Sequence, residues 1–421
     1  MKQDSSKKIE YIIGWILLSV YIFTSYIAVD IIINRQVNTI VMYAFLGWGA
    51  ITTVLYGVRS KIPTYTTWYA VFMLASLVIM LYSPESRILS GEFYLMIVSF
   101  LLTFFIQLFI RKEKDFNKLC WVYGVSSFVL VLMLQFTGNL IGSAEERLGE
   151  ELLGNTNNFA IVIMIATMLE LWLLLYNPNS VLKKCLLSVM VLYNMYALAL
   201  SAGRKFFIMP FVFLYILLIC KKNKNGRRNI ILYTVIAAVI AGLAFNMIMK
   251  IPVLYEAIGV RLEASFDEVN GENIDGGAYY SSKIRDEMKK DSIERWKEKP
   301  IFGYGFDSYK YQAKKSVGRF CYSHCNYTEL LYNGGIVYFL VYYFFVFKFI
   351  KLVRKSKVKD KYKTFGIAVI TCIVILDYGS VSYSVTIVQI ALCLAFKAMT
   401  FEPEENMQGD ETENGKVKNI N

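Results

Sequence analysis

Long apolar runs recur along almost the whole chain, and they constrain its fold more than any other feature. A transmembrane α-helix needs about 20 predominantly apolar residues, and runs of that length follow one another from residue 11 to residue 399. We predict twelve membrane-spanning helices. They cover 11–33, 38–57, 64–82, 92–110, 119–141, 158–176, 181–200, 205–220, 229–249, 331–350, 364–379 and 381–399.

The composition supports the same fold class. Of the 421 residues, 56% are hydrophobic and 19% charged, whereas a soluble domain has roughly 45–50% and about 25%. This excludes a secreted disulfide scaffold, a disordered chain and an ordinary cytosolic enzyme. We predict an all-α polytopic membrane protein, with residues 1–400 as a single transmembrane domain. The polar segment 401–421 is predicted to be a disordered cytoplasmic tail.

The distribution of basic residues predicts the orientation in the membrane. The chain has 45 Lys and Arg against 33 Asp and Glu, a formal net charge of +12. Connections rich in Lys and Arg alternate with connections that hold single basic residues, which is typical of cytoplasmic and external loops. This reading explains the charge without a nucleic-acid partner. Both termini are therefore predicted to be cytoplasmic, and the basic N-terminus leads into an uncleaved first span.

One long hydrophilic segment, residues 250–330, interrupts the apolar runs between the ninth and tenth spans. The alternation places it outside the cytoplasmic membrane as a large external loop. Within it, residues 281–299 are predicted to form an amphipathic helix at the membrane surface. Its apolar positions are Ile284, Met288, Ile293 and Trp296. Pro300 should end this helix, and the glycines of PIFGYGF should form a turn.

Several polar residues near the outer ends of spans have two interpretations each. Arg204 and Lys205 either extend to the outer headgroups, as cations at helix ends do, or form a seat for an anion beside the small residues 201–203. The loop before the sixth span contains Arg147 and an asparagine cluster that includes Asn157 and Asn158. A helix N-cap requires one asparagine, so the cluster also indicates a polar site.

His324 is the only histidine in the chain and lies in the external loop just before the tenth span. A single histidine is more often structural than catalytic, but its ordinary pKa suits proton transfer near neutrality. Cys321 and Cys325 flank it. Three potential ligands without a second cluster fall short of the four that a structural zinc site needs. A disulfide or two free thiols are the better interpretations of the cysteine pair.

Four segments, in order, resemble the O-antigen ligase and polysaccharide polymerase superfamily of integral membrane glycosyltransferases. They are GNTNNFA before the sixth span, LSAGRKFF before the eighth, the loop stretch SSKIRDEMKKDSIERWKEKPIFGYGFDSYK, and SHCNYTELLYNGGIVYF at the tenth span. The sequence departs from the family pattern at Thr156, where proline is usual, and at Ala202, Gly203 and Lys205. The resemblance covers roughly residues 140–345.

The resemblance implies a metal-independent transfer, without cofactor, of a glycan from undecaprenyl pyrophosphate to a sugar hydroxyl. Arg204 and Arg285 match the family arginines that would hold the pyrophosphate, and His324 matches the family histidine that would receive or orient the acceptor proton. Cations suit a leaving group on which negative charge develops. The predicted substrate-binding residues are Arg261, Arg147, Asn157, Asn158, Lys205, Asn326 and Glu329.

The sequence favours a polymerase that elongates O-antigen or capsule repeat units at the outer face of the bacterial cytoplasmic (inner) membrane. A ligase, which transfers to a different acceptor, is the alternative within the family. A transporter or flippase of lipid-linked glycan is the alternative from another class; it would use the intramembrane Glu170 and tolerate loss of His324. Expected partners are the lipid-linked oligosaccharide, membrane lipids, and flippase and chain-length regulator proteins.

Overall fold

The computed structural model describes residues 2–28, 34–83, 91–141, 148–149, 156–177, 180–221, 229–263 and 277–401. Within these ranges all regular secondary structure is helical. The fifteen α-helices are α1 Lys2–Ile27, α2 Arg35–Tyr56, α3 Thr64–Met80, α4 Gly91–Phe109, α5 Glu113–Phe136, α6 Thr156–Tyr176, α7 Val181–Leu200, α8 Arg204–Cys220, α9 Ile230–Lys250, α10 Pro252–Leu254, α11 Gly277–Trp296, α12 Tyr309–Val317, α13 Asn326–Lys355, α14 Asp360–Asp377 and α15 Thr386–Ala398. The predicted tail lies beyond Phe401, outside the described residues.

Each of the twelve predicted spans overlaps one of these helices: α1 to α9 and α13 to α15. Eight helices among the described residues are long and apolar enough to cross a membrane. These observations confirm the all-α class and agree with a polytopic membrane protein. The number of crossings and the side on which the large loop lies stay predictions.

A helix can begin before its apolar run where polar residues form its first turn. The fifth span was predicted from residue 119, but α5 begins at Glu113. The carboxylate of Asp115 accepts hydrogen bonds from the backbone N–H groups of Arg111 and Lys112, at 2.9 and 2.8 Å. This satisfies donors that a helix start would leave open, so the polar first turn joins the helix.

The core of the bundle is built around α6, which contacts α5, α7, α8 and α15. In the most apolar 18-residue stretch of α6, 78% of the residues are buried. The ring of Trp172 on α6 lies 5.2 Å from that of Phe116 and 5.5 Å from that of Phe365. By contrast, α9 is apolar on all sides, and none of the residues in its most apolar 18-residue stretch is buried. This is typical of a helix that faces lipid.

One end of the bundle is held by buried charges. Glu10 forms ion pairs with Arg59 at 2.8 Å and Arg111 at 3.5 Å, and joins α1 to the α2–α3 and α4–α5 connections. Lys397 is 1% exposed, and its ammonium donates to Ser60 Oγ at 2.6 Å. The connections at this end belong to the set rich in Lys and Arg. The large loop and α11 lie at the opposite end.

The large loop is anchored to α13 through a break in that helix. At Gly335 the backbone leaves the helical conformation, with φ +65°. The PIFGYGF segment fills the break: the N–H groups of Tyr304 and Gly305 donate to the carbonyls of Tyr332 and Asn333, at 2.9 and 2.7 Å. Because these carbonyls lie before the break, the loop satisfies acceptors that the helix would leave open. The predicted turn is therefore present, and it docks the loop.

The predicted amphipathic helix is α11. Its Met288 is 3% exposed and packs with Tyr309, Ala313 and Tyr332 of α12 and α13. The hydroxyl of Tyr309 also donates to the carbonyl of Met288 at 2.8 Å. The apolar side of α11 therefore contacts the protein, and contact of this helix with the membrane surface stays a prediction.

The docked turn predicts a large difference between two glycine substitutions. Gly303 has φ +63°, and a Cβ there would lie 2.4 Å from the carbonyl oxygen of Tyr332 and 2.7 Å from the backbone nitrogen of Gly335. Gly318 has a similar φ of +74°, with open space around a Cβ. Gly318→Ala should lose about 1–2 kcal/mol from the left-handed backbone alone. Gly303→Ala must in addition move backbone, so its melting temperature in detergent should fall several degrees further. Equal melting temperatures would contradict the docking.

Candidate active site

Three described residues hold a left-handed backbone without being glycine: Asp307 in the large loop, with φ +56°, and two residues that precede helices of the predicted site. Ala202 in the α7–α8 junction has φ +54°, and His324 has φ +57°. Such a conformation costs about 1–2 kcal/mol and persists only where the surroundings fix it. In both cases the next residues begin or approach a helix that carries a predicted site residue, Arg204 on α8 and Asn326 on α13.

A buried carboxylate fixes the turn that presents His324. Glu329 is fully buried in the first turn of α13, and its Oε2 accepts the backbone N–H of Ser323 at 2.7 Å. Its Oε1 accepts from the side-chain amide of Asn333 at 3.3 Å. The hydroxyl of Thr328 donates to Ser323 Oγ at 3.1 Å. Glu329 therefore holds the residue before His324, which makes it a positioning residue.

Asn326 has a similar role toward the α14–α15 connection. Its Oδ1 accepts the backbone N–H groups of Ser382 and Tyr383, at 3.1 and 3.2 Å. Its Nδ2 donates to Tyr343 Oη at 3.0 Å and to Asp377 Oδ2 at 3.2 Å. The side chain is fully buried. Asn326 thus joins α13 to α14 and to the loop that borders the site.

Three predicted arginines come together from α8, the helical turn at 260–263, and α11. The guanidinium of Arg204 donates through Nη1 to the backbone carbonyl of Arg261 at 2.9 Å. Burial and the charge of Arg204 lower the pKa of Arg261. Burial, followed by the charges of Arg204 and Arg261, lowers the pKa of Arg285. Like charges this close repel one another, so the cluster favours an anion among them.

Two lysines extend the positive charge to the histidine. The ammonium of Lys205 donates to the carbonyl of Gly379. Lys289 on α11 lies 4.3 Å from the ring centre of Tyr378 and forms an ion pair with Asp286 at 3.3 Å. Burial, followed by the charges of Arg285, Lys205 and Lys289, lowers the pKa of His324 to about 3. The imidazole is therefore neutral at physiological pH and able to accept a hydrogen bond.

The helical bundle contains a cavity of about 390 Å³, and His324 is one of the residues that line it. Asn157 and Asn158 in the first turn of α6 line it, as predicted residues of a polar site. Two residues that the sequence analysis did not single out also line it, Glu92 at the start of α4 and Tyr322. The Tyr322 hydroxyl donates to the carboxylate of Glu92.

Comparison with known families addresses the part of the chain that contains most of these residues. Residues 186–343 match the family model described as O-antigen ligase, Wzy_C. The segment is an O-antigen ligase domain. It runs from within α7 into α13 and contains the three arginines, Lys205 and His324. No curated protein matches the chain significantly.

The O-antigen ligase domain confirms the superfamily that the four sequence segments resemble. The matched family implies a glycosyltransferase-like enzyme, and members of this family act on lipid-linked oligosaccharides. Together with the apolar helices, the domain indicates a protein of the bacterial inner membrane.

The structure brings most of the predicted site residues to one end of the bundle. Arg204, Arg261, Arg285 and Lys205 form the cationic side, and Asn157 and Asn158 share the cavity with His324. Arg147 lies outside the described residues. Cys321 and Cys325 are both free thiols.

Several residues of the site were missed from the sequence, among them Lys289, Glu92, Tyr322 and Asp377. Lys289 is one of several lysines on α11, and only the fold shows which of them faces His324. Glu92 looks like an ordinary acidic residue in a first helical turn. Asp377 looks like a helix-end residue, yet it is fully buried and accepts from Tyr343 Oη at 2.7 Å.

Burial and the charges around His324 predict a lowered pKa of its imidazole, which a titration can measure. Because the chain has one histidine, its imidazole signal in an NMR pH titration is assigned without mutation. The midpoint should lie well below the ordinary pKa of 6.5, toward the value of about 3. Lys289→Met removes one of the cations that disfavour the imidazolium and should raise the midpoint.

Lys290→Met is the matched control, because Lys290 is the exposed neighbour of Lys289 on α11 and is not among the charges that lower the pKa of His324. It should leave the midpoint unchanged. Equal shifts for the two variants, or a wild-type midpoint near 6.5, would contradict the electrostatic arrangement.

Proposed function

We propose that the chain is a polysaccharide repeat-unit polymerase that uses a glycan linked to undecaprenyl pyrophosphate as donor and another lipid-linked repeat as acceptor. The observation that carries this proposal is the convergence of Arg204, Arg261 and Arg285 next to a neutral His324. The O-antigen ligase domain supports the same class of transfer.

The cationic cluster suits the leaving group of this reaction. When the bond between the sugar carbon and the pyrophosphate oxygen breaks, the bonding electron pair stays with the pyrophosphate. Arginine binds phosphate oxygens through two parallel N–H donors and stays charged. Cations fixed in place before the reaction stabilise the charge that develops in the transition state. The arginines would thus supply the positive charge, and the transfer is proposed to be metal-independent.

His324 suits the other half of the reaction. The acceptor hydroxyl oxygen forms the new bond to the sugar carbon, and its proton must be removed. A neutral imidazole can accept that proton. After burial, the charges of Arg285, Lys205 and Lys289 lower the pKa of His324, and bound pyrophosphate would offset these charges. Donor binding would therefore raise the pKa of His324 and make it a stronger base.

The fold also supports an active site that faces outward. The connections at the end with Glu10 and Lys397 carry the excess of basic residues that is typical of cytoplasmic loops. The cationic cluster and His324 lie at the opposite end of the bundle. Both termini are then cytoplasmic, and the donor is used at the outer face.

A ligase is the second candidate, because the matched family model is described as O-antigen ligase. It would use the same donor chemistry but a different acceptor. The transporter alternative depends on Glu170. That carboxylate accepts two hydrogen bonds from the amide of Asn194, at 2.9 and 3.1 Å, and Asn194 accepts from Ser127 at 3.0 Å. These contacts give Glu170 a structural role that joins α5, α6 and α7.

Loss of one arginine from the cluster should abolish most of the activity. The purified protein, with EDTA and without nucleotide, is incubated with its lipid-linked repeat, and the products are separated on a gel. Wild type should give a ladder of repeat multiples. Arg204→Ala, Arg285→Ala and His324→Ala should each lower the rate about 100-fold or more, with normal amounts of protein in the membrane.

Arg295→Ala is the control for Arg285→Ala, because Arg295 lies on the same helix, is 48% exposed and pairs with Glu298 at 3.0 Å. It should keep wild-type activity. Product that forms once, and only when a separate acceptor is supplied, would identify a ligase. Wild-type activity in His324→Ala would contradict the assigned proton acceptor, and the absence of any covalent product from wild type would contradict the transferase.

The orientation is tested by labelling in intact cells with a membrane-impermeant maleimide. Lys314 is exposed on α12 of the large loop, and Lys357 is exposed in the α13–α14 connection at the other end. Each is replaced by cysteine in a separate variant. After subtraction of the wild-type background, Lys314→Cys should label and Lys357→Cys should label only after lysis. The reverse pattern would contradict an outward-facing site.

A further inference from the structure

His324 lies between two chemically different environments. On one side are the cations that lower its pKa, Arg285, Lys205 and Lys289. On the other side is the cavity of about 390 Å³, whose described lining contains none of these cations and neither of the other two arginines. A site that transfers a group between two substrates needs two such compartments at its proton acceptor, one for each substrate.

The cavity has the size and chemistry of a compartment for a sugar. Pockets for small ligands measure about 300–1,000 Å³, which includes this one. Apart from Glu92 and His324, its polar lining consists of hydroxyls and amides that can both donate and accept hydrogen bonds, as sugar hydroxyls require. These residues include Ser25, Asn157, Asn158, Ser380 and Ser384.

Glu92 is the carboxylate in the described lining of this cavity. The hydroxyl of Tyr322 donates to its Oε1, and that of Ser384 donates to its Oε2. An ionised carboxylate has about four acceptor positions, so each oxygen can accept one more hydrogen bond. The carboxylate is half-buried and borders the open space.

The negative charge of Glu92 also decides which substrate the cavity fits. A carboxylate repels the phosphates of the donor, whereas hydrogen bonds from neutral hydroxyls to a carboxylate are about twice as strong as those between neutral groups. The cationic side of His324 therefore suits the pyrophosphate, and the Glu92 side suits a neutral glycan.

We propose that this cavity binds the acceptor sugar and that Glu92 accepts hydrogen bonds from its hydroxyls, which turns the reacting hydroxyl toward His324. Tyr322 and Ser384 orient the carboxylate from either side. This inference rests on the proposed glycan transfer and adds the acceptor subsite and its principal binding residue. It applies to the polymerase and to the ligase, because both transfer to a sugar hydroxyl.

The test varies the two substrates separately. The donor is the lipid-linked repeat, and the acceptor is the decyl glycoside of the same repeat unit, which has no phosphate and cannot act as donor. Glu92→Gln keeps the shape of the side chain and removes the charge. Because a hydrogen bond to a charged group contributes more than a neutral one, Glu92→Gln should raise the KM for the acceptor at least tenfold and leave the KM for the donor within twofold.

Further variants separate binding of the sugar from support of the loop. The double variant Tyr322→Phe with Ser384→Ala removes both hydroxyl partners and keeps the carboxylate, so the KM for the acceptor should rise by clearly less than it does in Glu92→Gln. If Glu92 only supported the loop before His324, this variant would reproduce the effect of Glu92→Gln, and the inference would be overturned. Glu294→Gln, on the exposed side of α11, is the control and should match wild type.

The result also distinguishes this inference from the proposed function. An unchanged KM for the acceptor in folded Glu92→Gln, with transfer by wild type intact, overturns the inference alone. Absence of transfer by wild type overturns both. If Glu92→Gln does not fold, Glu92→Asp decides, because it keeps the charge but withdraws it by one methylene: a KM for the acceptor raised at least threefold supports the subsite, and an unchanged KM overturns it.

Discussion

The segment of α13 between residues 326 and 335 organises the whole site, and it does so because the helix breaks at Gly335. The break leaves two carbonyls open, and the PIFGYGF turn binds them. Within the same segment, Glu329 holds the residue before His324, and Asn333 Oδ1 accepts the backbone N–H groups of Ser308 and Tyr309 at 3.2 Å each. One short helical segment thus binds both the large loop and the histidine turn, and these contacts set the position of the loop relative to the histidine.

The electrostatics of the site depend on that placement. Arg285 belongs to the large loop and Arg204 to the membrane bundle, and they share a site only because the loop is docked. Like charges held this close repel one another, which is a cost that an anionic ligand would offset. The left-handed conformations of Ala202 and His324 are a second cost at the same place. Strain and repulsion of this kind are concentrated at sites that bind or react.

The helices could be predicted from the sequence because each depends on a local property, the length of an apolar run. Arg204, Arg285 and His324 could be found because they lie in segments that resemble a family. Residues whose role comes from long-range packing could not be found in this way. Glu92 and Tyr322 are far apart in the sequence and meet only after α4 and the loop before α13 are in place. Lys289 and Lys290 are adjacent and chemically identical, and the direction in which α11 packs distinguishes them.

The cationic side of His324 and much of the cavity on its other side come from different stretches of chain. The arginines and the histidine lie inside the O-antigen ligase domain, whereas Glu92, Asn157 and Asn158 precede it. Substitutions in the early helices can therefore reshape the cavity without altering the arginines on the other side of His324. On the proposed function, one leaving-group chemistry would in this way be combined with different acceptor glycans, and the first five helices, which carry no segment that resembles a family, would be the place where that diversity is encoded.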